Sequence, residues 1–269
     1  MNVSVANHHS GRQTTILEED LELALQLSDI ADPISLSYFR SSDLVIKTKP
    51  DESLVSRADR EVEQALRTHL ESARPHDAVI GEEYGAGPVI AKRRWIIDPI
   101  DGTARYARGI PLFASLIALE QDNELLLGVV SAPVLKRRWW AARDFGAFAD
   151  GSPIRVSSIS SLRDAHVSVG SPRNWLACDL FQLLGTIAGH SGCTTGYGDF
   201  WPHLLVAEGS ADAALEPSAE VWDLAALKVI VEEAGGRFSD FSGGPSAAGG
   251  SAVSSNGLIH DEILSLLRE

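Results

Sequence analysis

The amino-acid sequence predicts an α+β fold. Helical periodicity opens and closes the chain, whereas its first half carries short apolar segments separated by turn residues, as in a sheet with hairpin connections. After residue 155 helical and strand-like segments alternate, as in an α/β unit. With 269 residues, the chain is long enough for two closely packed halves. We therefore expect an N-terminal half at 1–155, which contains the antiparallel sheet, and a C-terminal half at 156–269.

The elements of the first half follow from periodicity and capping residues. Apolar residues recur at helical spacing over 14–39, where Pro33 predicts a kink or a break. Ser56 and Asp59 have the pattern of a capping box, which predicts a helix from there to about Ala73. Apolar segments bounded by turn residues predict strands at Asp43–Lys49, Ala78–Glu82, Arg94–Ile97, Phe113–Glu120, Leu125–Ser131 and Arg138–Ala142, with a hairpin turn at Gln121–Asn123.

The second half follows a serine-rich connector at Ser157–Ser161. Its predicted helices are Trp175–Ala188, Phe200–Glu208, Val221–Ala234 and Leu258–Leu267, and its predicted strands are Ala211–Leu215, Arg237–Phe241 and Ala252–Ser255. Gly235 and Gly236 end the third of these helices, because glycine readily adopts the conformation that closes a helix. Gly243–Gly250 is expected to form a mobile surface loop, not a phosphate-binding loop, since no helix carrying a lysine follows it.

Charge and cysteine content exclude several function classes. The chain has 23 basic and 37 acidic residues, a formal charge of −14 that would repel nucleic acid and anionic membranes. No segment approaches 18 uninterrupted apolar residues, and residues 1–13 lack the basic and apolar regions of a signal peptide. Cys178 and Cys193 are too few for a disulfide scaffold. We therefore expect a cytoplasmic protein whose partners are cations, not nucleic acid or an anionic membrane.

Five carboxylates lie where predicted elements begin or end. Glu82 and Glu83 end one predicted strand, Asp98 and Asp101 follow another, and Asp223 opens a helix. Side chains at element ends can converge, and a cluster of carboxylates requires a cation. Hard oxygen ligands suit Mg²⁺ or Mn²⁺, and two such ions can share a bridging carboxylate. The pattern therefore predicts a two-metal site for phosphoryl chemistry.

Each acid also has a structural interpretation. Asp59 can complete a capping box, Asp223 can complement a helix dipole, and Asp101 precedes a glycine as in a common turn. The combination in Trp95–Thr103, WIIDPIDGT, favours the metal interpretation. Its proline keeps the preceding backbone extended, so that two acids and the intervening carbonyl can face one ion.

Four segments carry a resemblance to a known family. They are GEE at Gly81–Glu83, WIIDPIDGT at Trp95–Thr103, WDLAA followed by EEAGG within Trp222–Gly236, and KPDESLVSRAD at Lys49–Asp59. Together they resemble the magnesium-dependent inositol monophosphatase-like phosphatases, with Ser56 in place of the usual threonine. The resemblance covers essentially the whole chain. It implies a layered αβαβα sandwich, a homodimer and two or three Mg²⁺ ions per site, with Mn²⁺ as an alternative.

The resemblance also implies a role for each site residue. The metal ligands would be Glu82, Asp98, the Ile100 carbonyl, Asp101 and Asp223. The residues that orient and deprotonate the attacking water would be Asp59 and Thr103, with Glu83 beside them, and the phosphate would bind to the N–H groups of Gly102 and Thr103. Water would attack the phosphate directly, without a phospho-enzyme. The N-terminal half would thus supply most metal ligands, and the C-terminal half would supply Asp223 and the substrate pocket.

Segments outside these motifs resemble the histidinol-phosphate phosphatase branch of the family. They are Arg108–Pro111, Ala114–Leu119, Gly128–Pro133, Arg137–Ala141, Gly196–Trp201 and Leu215–Pro217. Histidinol phosphate carries an ammonium and an imidazole, so additional carboxylates would favour it over inositol phosphate. Asp199 and Glu216 are the candidates, and a solvated loop acid, or a helix cap at Asp199, is the structural alternative.

Other functions stay open at this point. One is an inositol-1-monophosphatase or another small sugar or nucleotide phosphatase of the same family. The other, of a different class, is a non-enzymatic regulatory interaction module on this scaffold. Retention of all five carboxylates at the element ends argues against the module, because a degenerate relative has no need of them.

Overall fold

The computed structural model describes residues 6–49, 54–87 and 91–268. Its helices are α1 Ala6–Tyr38, α2 Arg57–Ala73, α3 Thr103–Ala107, α4 Pro172–Ala177, α5 Phe181–His190, α6 Phe200–Ala207, α7 Val221–Glu233 and α8 His260–Leu266. Its strands are β1 Ile46–Thr48, β2 Leu54–Ser56, β3 Ala78–Gly81, β4 Gly85–Ala86, β5 Arg93–Asp101, β6 Ala114–Gln121, β7 Glu124–Ala132, β8 Arg137–Ala142, β9 Gly146–Ala149, β10 Ser152–Pro153, β11 His166–Ser168, β12 Cys193–Thr195, β13 Ala213–Glu216, β14 Arg237–Ser239 and β15 Ala252–Ser255. Residues 50–53 of the KPDESLVSRAD segment, and residues 1–5 of the segment tested for a signal peptide, lie outside the described residues.

The elements stack in five layers and confirm the αβαβα sandwich. An eight-stranded sheet has the order β10-β9-β8-β7-β6-β5-β3-β4, and a five-stranded sheet has the order β12-β11-β13-β15-β14. Helices α1 and α2 cover the outer face of the large sheet, and α6 and α7 lie between the two sheets. Helices α4, α5 and α8 cover the small sheet on its other face. Each sheet thus buries both of its faces.

Helix α7 occupies the middle layer and contacts strands of both sheets. It lies so close to β7 that a Cβ atom at Gly128 would stand 2.4 Å from the Ala226 carbonyl oxygen. Residues 224–227 are buried along this contact. The helix therefore holds its own first turn, with Asp223, in a fixed position relative to the large sheet.

Strand β5 runs through the large sheet and delivers two acids at its end. It pairs in parallel with β3 and antiparallel with β6, and the register to β6 shifts between Asp98 and Asp101. The Ser115 hydroxyl donates a hydrogen bond to the Pro99 carbonyl within this irregular stretch, at 2.6 Å. Such a bulge redirects side chains at the end of a strand. Both acids consequently point to the same edge of the sheet.

The capping box and the hairpin turn are confirmed. The Ser56 N–H donates to Asp59 Oδ2 at 2.8 Å, and the Ser56 hydroxyl oxygen accepts from the Ala58 N–H at 3.1 Å. Asp122 and Asn123 connect β6 to β7 with φ values of +52° and +66°, the conformation that a two-residue hairpin turn requires. The expected surface loop at 243–250 contains no helix or strand.

Three predictions about elements are wrong. Helix α1 begins at Ala6, before residue 14, and does not break at Pro33, because packing of Leu27 and Ala31 into the core offsets one lost hydrogen bond. The helix predicted at 175–188 is two helices, since Asp179 adopts a left-handed φ of +59° between them. The strand predicted at 43–49 is only the three-residue β1. No helix of the described ranges is both long enough and apolar enough to span a bilayer.

Candidate active site

Three of the predicted metal ligands meet between the two sheets. Each of Asp98, Asp101 and Asp223 places one carboxylate oxygen within 4.8 Å of the others. Asp98 and Asp101 come from the end of β5, and Asp223 comes from the first turn of α7, where its Oδ2 accepts the Glu220 N–H at 2.8 Å. We refer to these three carboxylates as the acidic trio.

The electrostatics of the acidic trio fit a divalent cation. Burial raises the pKa values of Asp98 and Asp101 well above their usual range, and the negative charges of neighbouring acids raise them further. Burial also raises the pKa of Asp223, to about 7. Carboxylates that repel one another in a buried site provide the hard oxygen ligands that Mg²⁺ or Mn²⁺ prefers. The residues present therefore suit the metal that the resemblance implies.

Glu82 and Glu83 lie next to the acidic trio and share a lysine. The Lys49 ammonium is 2.7 Å from Oε1 of Glu82 and 2.7 Å from Oε1 of Glu83. Burial alone would lower the Lys49 pKa, but these two carboxylates raise it above its usual value. Burial raises the pKa of Glu83 to about 7. Glu82 is close enough for its charge to raise the Asp98 pKa, yet its carboxylate is held by Lys49.

Thr103 and Asp59 are in direct contact. The Thr103 Oγ1 atom is 3.0 Å from Asp59 Oδ1 and 3.0 Å from the Ile100 carbonyl oxygen. The other Asp59 oxygen accepts hydrogen bonds from the N–H and the hydroxyl of Ser56, at 2.8 and 2.5 Å. Burial raises the Asp59 pKa to about 6, although these hydrogen bonds lower it. A carboxylate with a pKa near neutrality, joined to a hydroxyl, can accept a proton at physiological pH.

Gly102 lies between the acids of β5 and helix α3, at a position that has no room for a side chain. Its φ of +86° lies in the left-handed region. A Cβ atom would stand 3.0 Å from the Leu112 carbonyl oxygen and 3.2 Å from Asp199 Oδ2. The glycine therefore lets the turn between β5 and α3 pack closely against Leu112 and Asp199.

Comparison with known proteins identifies the family. The family model described as the inositol monophosphatase family matches residues 16–269. The chain belongs to this family. The histidinol-phosphatase of Mycobacterium tuberculosis is 48% identical over 254 residues, which cover 93% of this chain and 98% of that protein. The histidinol-phosphatase of Streptomyces coelicolor is 44% identical and covers 93% of this chain and 97% of that protein.

A solved structure extends the likeness to the fold. The crystal structure of the extragenic suppressor protein suhB from Bartonella henselae superposes with a TM-score of 0.87 at 28% sequence identity. The match covers 93% of this chain and 99% of that chain. The two proteins therefore share one fold over nearly their whole lengths.

Glu216, one of the two predicted substrate carboxylates, is buried at the end of β13. It is 9% exposed, and its Oε1 accepts a hydrogen bond from Asn174 Nδ2 at 3.1 Å. Burial raises its pKa to about 7, and the charge of Asp223 raises it further. A Cβ atom at Gly170 would stand 2.3 Å from Glu216 Oε2, so a glycine is needed beside it. The solvated loop acid considered as the alternative is excluded for Glu216.

Asp199, the other predicted substrate carboxylate, forms an ion pair with Arg105 of α3. It does not cap α6, since its side chain makes no hydrogen bond to that helix. Asp101 takes this place, because its Oδ2 accepts the Phe200 N–H at 2.5 Å. The structure thus brings Asp199 to the site, but with a partner that the sequence did not predict.

Glu63 is a site residue that the sequence analysis missed. It is fully buried on α2, one turn after Asp59, and its two oxygens accept the N–H groups of Glu83 at 2.7 Å and Tyr84 at 3.2 Å. A Cβ atom at Gly81 would stand 2.1 Å from Glu63 Oε1. Glu63 therefore fixes the turn that carries Glu82 and Glu83. The sequence did contain one indication of this role, because Glu63 lies among the apolar residues of the buried face of α2.

Mg²⁺ is expected to stabilise the protein more at pH 7.5 than at pH 5. The pKa of Asp223 rises from its ordinary 3.8 to about 7 in the metal-free fold, so the folded protein binds more protons than the unfolded chain between these values. Stability of the metal-free protein therefore falls as the pH rises through this window, whereas a bound cation favours the ionised carboxylates. Thermal unfolding in EDTA and in saturating Mg²⁺ at both pH values measures the difference. Equal increments in melting temperature would contradict it.

Proposed function

We propose that this protein is a metal-dependent phosphatase that hydrolyses L-histidinol phosphate to L-histidinol and inorganic phosphate. The observation that carries the proposal is the placement of two different carboxylate sites side by side. The acidic trio suits the cations that phosphate ester hydrolysis requires, and the buried Glu216 lies within the electrostatic reach of Asp223. The similarity to two histidinol-phosphatases over nearly the full chain supports this substrate.

We assign the metal ligands from the acidic trio outward. Asp98, Asp101 and Asp223 would hold two or three Mg²⁺ ions, with Mn²⁺ as an alternative, and Glu82 and the Ile100 carbonyl would complete the set. When bound, these cations would supply activation of the attacking water and stabilisation of the leaving oxygen.

The chain itself supplies the proton acceptor. The Thr103 hydroxyl orients the attacking water, and Asp59 accepts the proton through its hydrogen bond to Thr103. Glu83 lies behind Glu82 and helps to position it, because the two carboxylates share Lys49. The Gly102 and Thr103 N–H groups, at the turn between β5 and α3, bind the phosphate. Asp98, which would bind metal, also accepts the Ile100 N–H at 3.0 Å, and this contact holds its carboxylate in place.

A panel of phosphate esters tests the function. Phosphate release is measured with L-histidinol phosphate, inositol 1-phosphate, fructose 1,6-bisphosphate and adenosine 3′,5′-bisphosphate, with Mg²⁺ and with EDTA. The proposal expects the highest kcat/KM with histidinol phosphate and no release in EDTA. Preference for another ester would indicate one of the other phosphatases of the family, and no hydrolysis of any ester would indicate the interaction module.

Glu216→Gln is expected to impair histidinol phosphate selectively. If Glu216 binds the ammonium or imidazole, its loss removes about 1.5–3 kcal/mol of charge-assisted hydrogen bonding, about ten- to a hundred-fold in kcat/KM. Hydrolysis of a small ester without a cationic group should change little. The kcat/KM values of both esters on the purified variant measure this. Equal losses with both esters would contradict the assignment, because a disturbed metal site or fold affects both together.

We also propose a homodimer, a cytoplasmic location, and a division into halves at residue 155. Exposed apolar side chains such as Leu176 and Phe181, 63% and 51% exposed, support an interface between copies. Free Cys178 and Cys193 are consistent with a reducing compartment. Light scattering of the purified protein gives the oligomeric state.

A further inference from the structure

The backbone of Asp199 adopts a conformation that is unusual for a residue with a side chain. Its φ of +59° and ψ of −152° lie in a region that is essentially restricted to glycine. A glycine at position 199 would adopt this conformation without strain, yet the chain carries an aspartate there. Strain of this kind persists where the side chain serves a purpose. The strained backbone therefore indicates a function for the Asp199 carboxylate.

The partner of Asp199 is the guanidinium of Arg105. Arg105 Nη1 also lies 3.5 Å from the Gly198 carbonyl oxygen, so the side chain spans from α3 to the start of α6. Its side chain is 25% exposed, and that of Asp199 is 34% exposed, so both face an opening to solvent. The pair thus joins the segment after Gly102 to the loop before α6.

The ion pair lies beside Glu216. A Cβ atom at Gly198 would stand 3.4 Å from Arg105 Nη2 and 3.8 Å from Glu216 Oε2, which places both groups around one glycine. The positive charge of Arg105 also lowers the pKa of Glu216. A cationic group bound at Glu216 would consequently lie near the guanidinium. An unpaired guanidinium there would repel it, whereas a paired one would not.

We infer that Asp199 acts as the counter-ion of Arg105, not as a direct ligand of the substrate, and that this pair makes the pocket around Glu216 compatible with a cationic substrate. The inference rests on the proposed function. Arg105 is then a positioning residue for the loop before α6, and Asp199 is a specificity residue that acts by cancelling the Arg105 charge. This indirect role can be told from direct binding of the substrate. If Asp199 acts only on the Arg105 charge, substrate specificity no longer depends on Asp199 once Arg105 is removed.

A double-mutant cycle tests this coupling. The variants are Asp199→Asn, Arg105→Gln and the combination of both, and the measured quantity is the ratio of kcat/KM for L-histidinol phosphate to kcat/KM for glycerol 2-phosphate, which has no cationic group. Asp199→Asn should lower the ratio about tenfold or more, mainly through KM for histidinol phosphate. Arg105→Gln should keep the ratio at or above the wild-type value. The double variant should recover most of the loss.

Two controls separate charge from structure. Asparagine has nearly the size and shape of aspartate and places the same demand on this backbone, so Asp199→Asn should fold, and its melting temperature verifies this. Asp261→Asn breaks an exposed ion pair with Arg237 far from the site and should leave the ratio unchanged. Calorimetric binding of L-histidinol gives a readout without turnover, and it should weaken in Asp199→Asn and recover in the double variant.

The outcomes are distinguishable from one another. If the ratio of kcat/KM values falls equally in Asp199→Asn and in the double variant, Asp199 binds the substrate directly and the inference is wrong. If no variant changes the ratio, the pair has no part in specificity, and the inference is again wrong while the proposed function stands. If the wild-type protein does not hydrolyse histidinol phosphate, the proposed function fails, and the inference fails with it.

Discussion

Replacement of Asp101 by asparagine is expected to abolish phosphate ester hydrolysis while the fold stays intact. Asp101 contributes one of the three charges of the acidic trio, and loss of a charged metal ligand removes several kcal/mol of transition-state stabilisation, about a thousand-fold in kcat/KM. The amide oxygen of asparagine can still accept the Phe200 N–H, so α6 keeps its N-terminal hydrogen bond. Steady-state kinetics with histidinol phosphate at increasing Mg²⁺ measure the effect.

The matched control for this variant is Asp122→Asn. Asp122 is also an acid at the end of a large-sheet strand, but it lies in the exposed hairpin turn and pairs with Lys92 at the surface. The Asp122→Asn variant should retain wild-type activity. Both Asp101→Asn and Asp122→Asn should show the circular dichroism spectrum of the wild type. Near-normal activity of Asp101→Asn at saturating Mg²⁺ would show that Asp101 does not bind the metal.

Thr103→Val should lower kcat about a hundred-fold or more for every phosphate ester tested. Valine has nearly the shape of threonine but lacks the hydroxyl that contacts Asp59 at 3.0 Å, so the water loses its link to the proton acceptor. The loss should fall on kcat more than on KM, because the hydroxyl takes part in the chemical step and not in recognition of the substrate's cationic end.

Thr103→Ser provides the rescue for this prediction. Serine restores the hydroxyl and should recover most of the rate, since it lacks only one methyl group. The kcat values of both variants are measured with one phosphate ester that carries a cationic group and one that does not. If serine fails as badly as valine, the threonine serves packing of the turn after β5 and the proton relay is wrong.

The sequence predicted the parts of the site that depend on local structure. Asp98 and Asp101 converge because a proline and an irregular strand end place them on one edge, and both signals lie within nine residues. The Ser56 and Asp59 pattern likewise predicted the helix start that holds Asp59 beside Thr103. Asp223, which lies more than a hundred residues later, was already one of the five acids at predicted element ends, and the family resemblance gave it the role of a metal ligand.

Long-range contacts could not be predicted from the sequence. Arg105 and Asp199 are distant along the chain, and no local pattern links an arginine on α3 to an acid before α6. Glu63 was missed for a similar reason, since its partners are backbone N–H groups in the turn that follows β3. Pro33 shows the opposite error, because local propensity predicted a kink or a break and tertiary packing keeps the helix unbroken.

The position of α7 between the two sheets determines when the acidic trio can form during synthesis. The ribosome releases β5, with Asp98 and Asp101, more than a hundred residues before Asp223 emerges. A nascent chain that ends before α7 therefore presents two acids of the trio without the third. The third carboxylate arrives only when α7 docks against β7 at Gly128, so the complete acidic trio marks a chain that has been translated through α7 and has packed this helix against the large sheet.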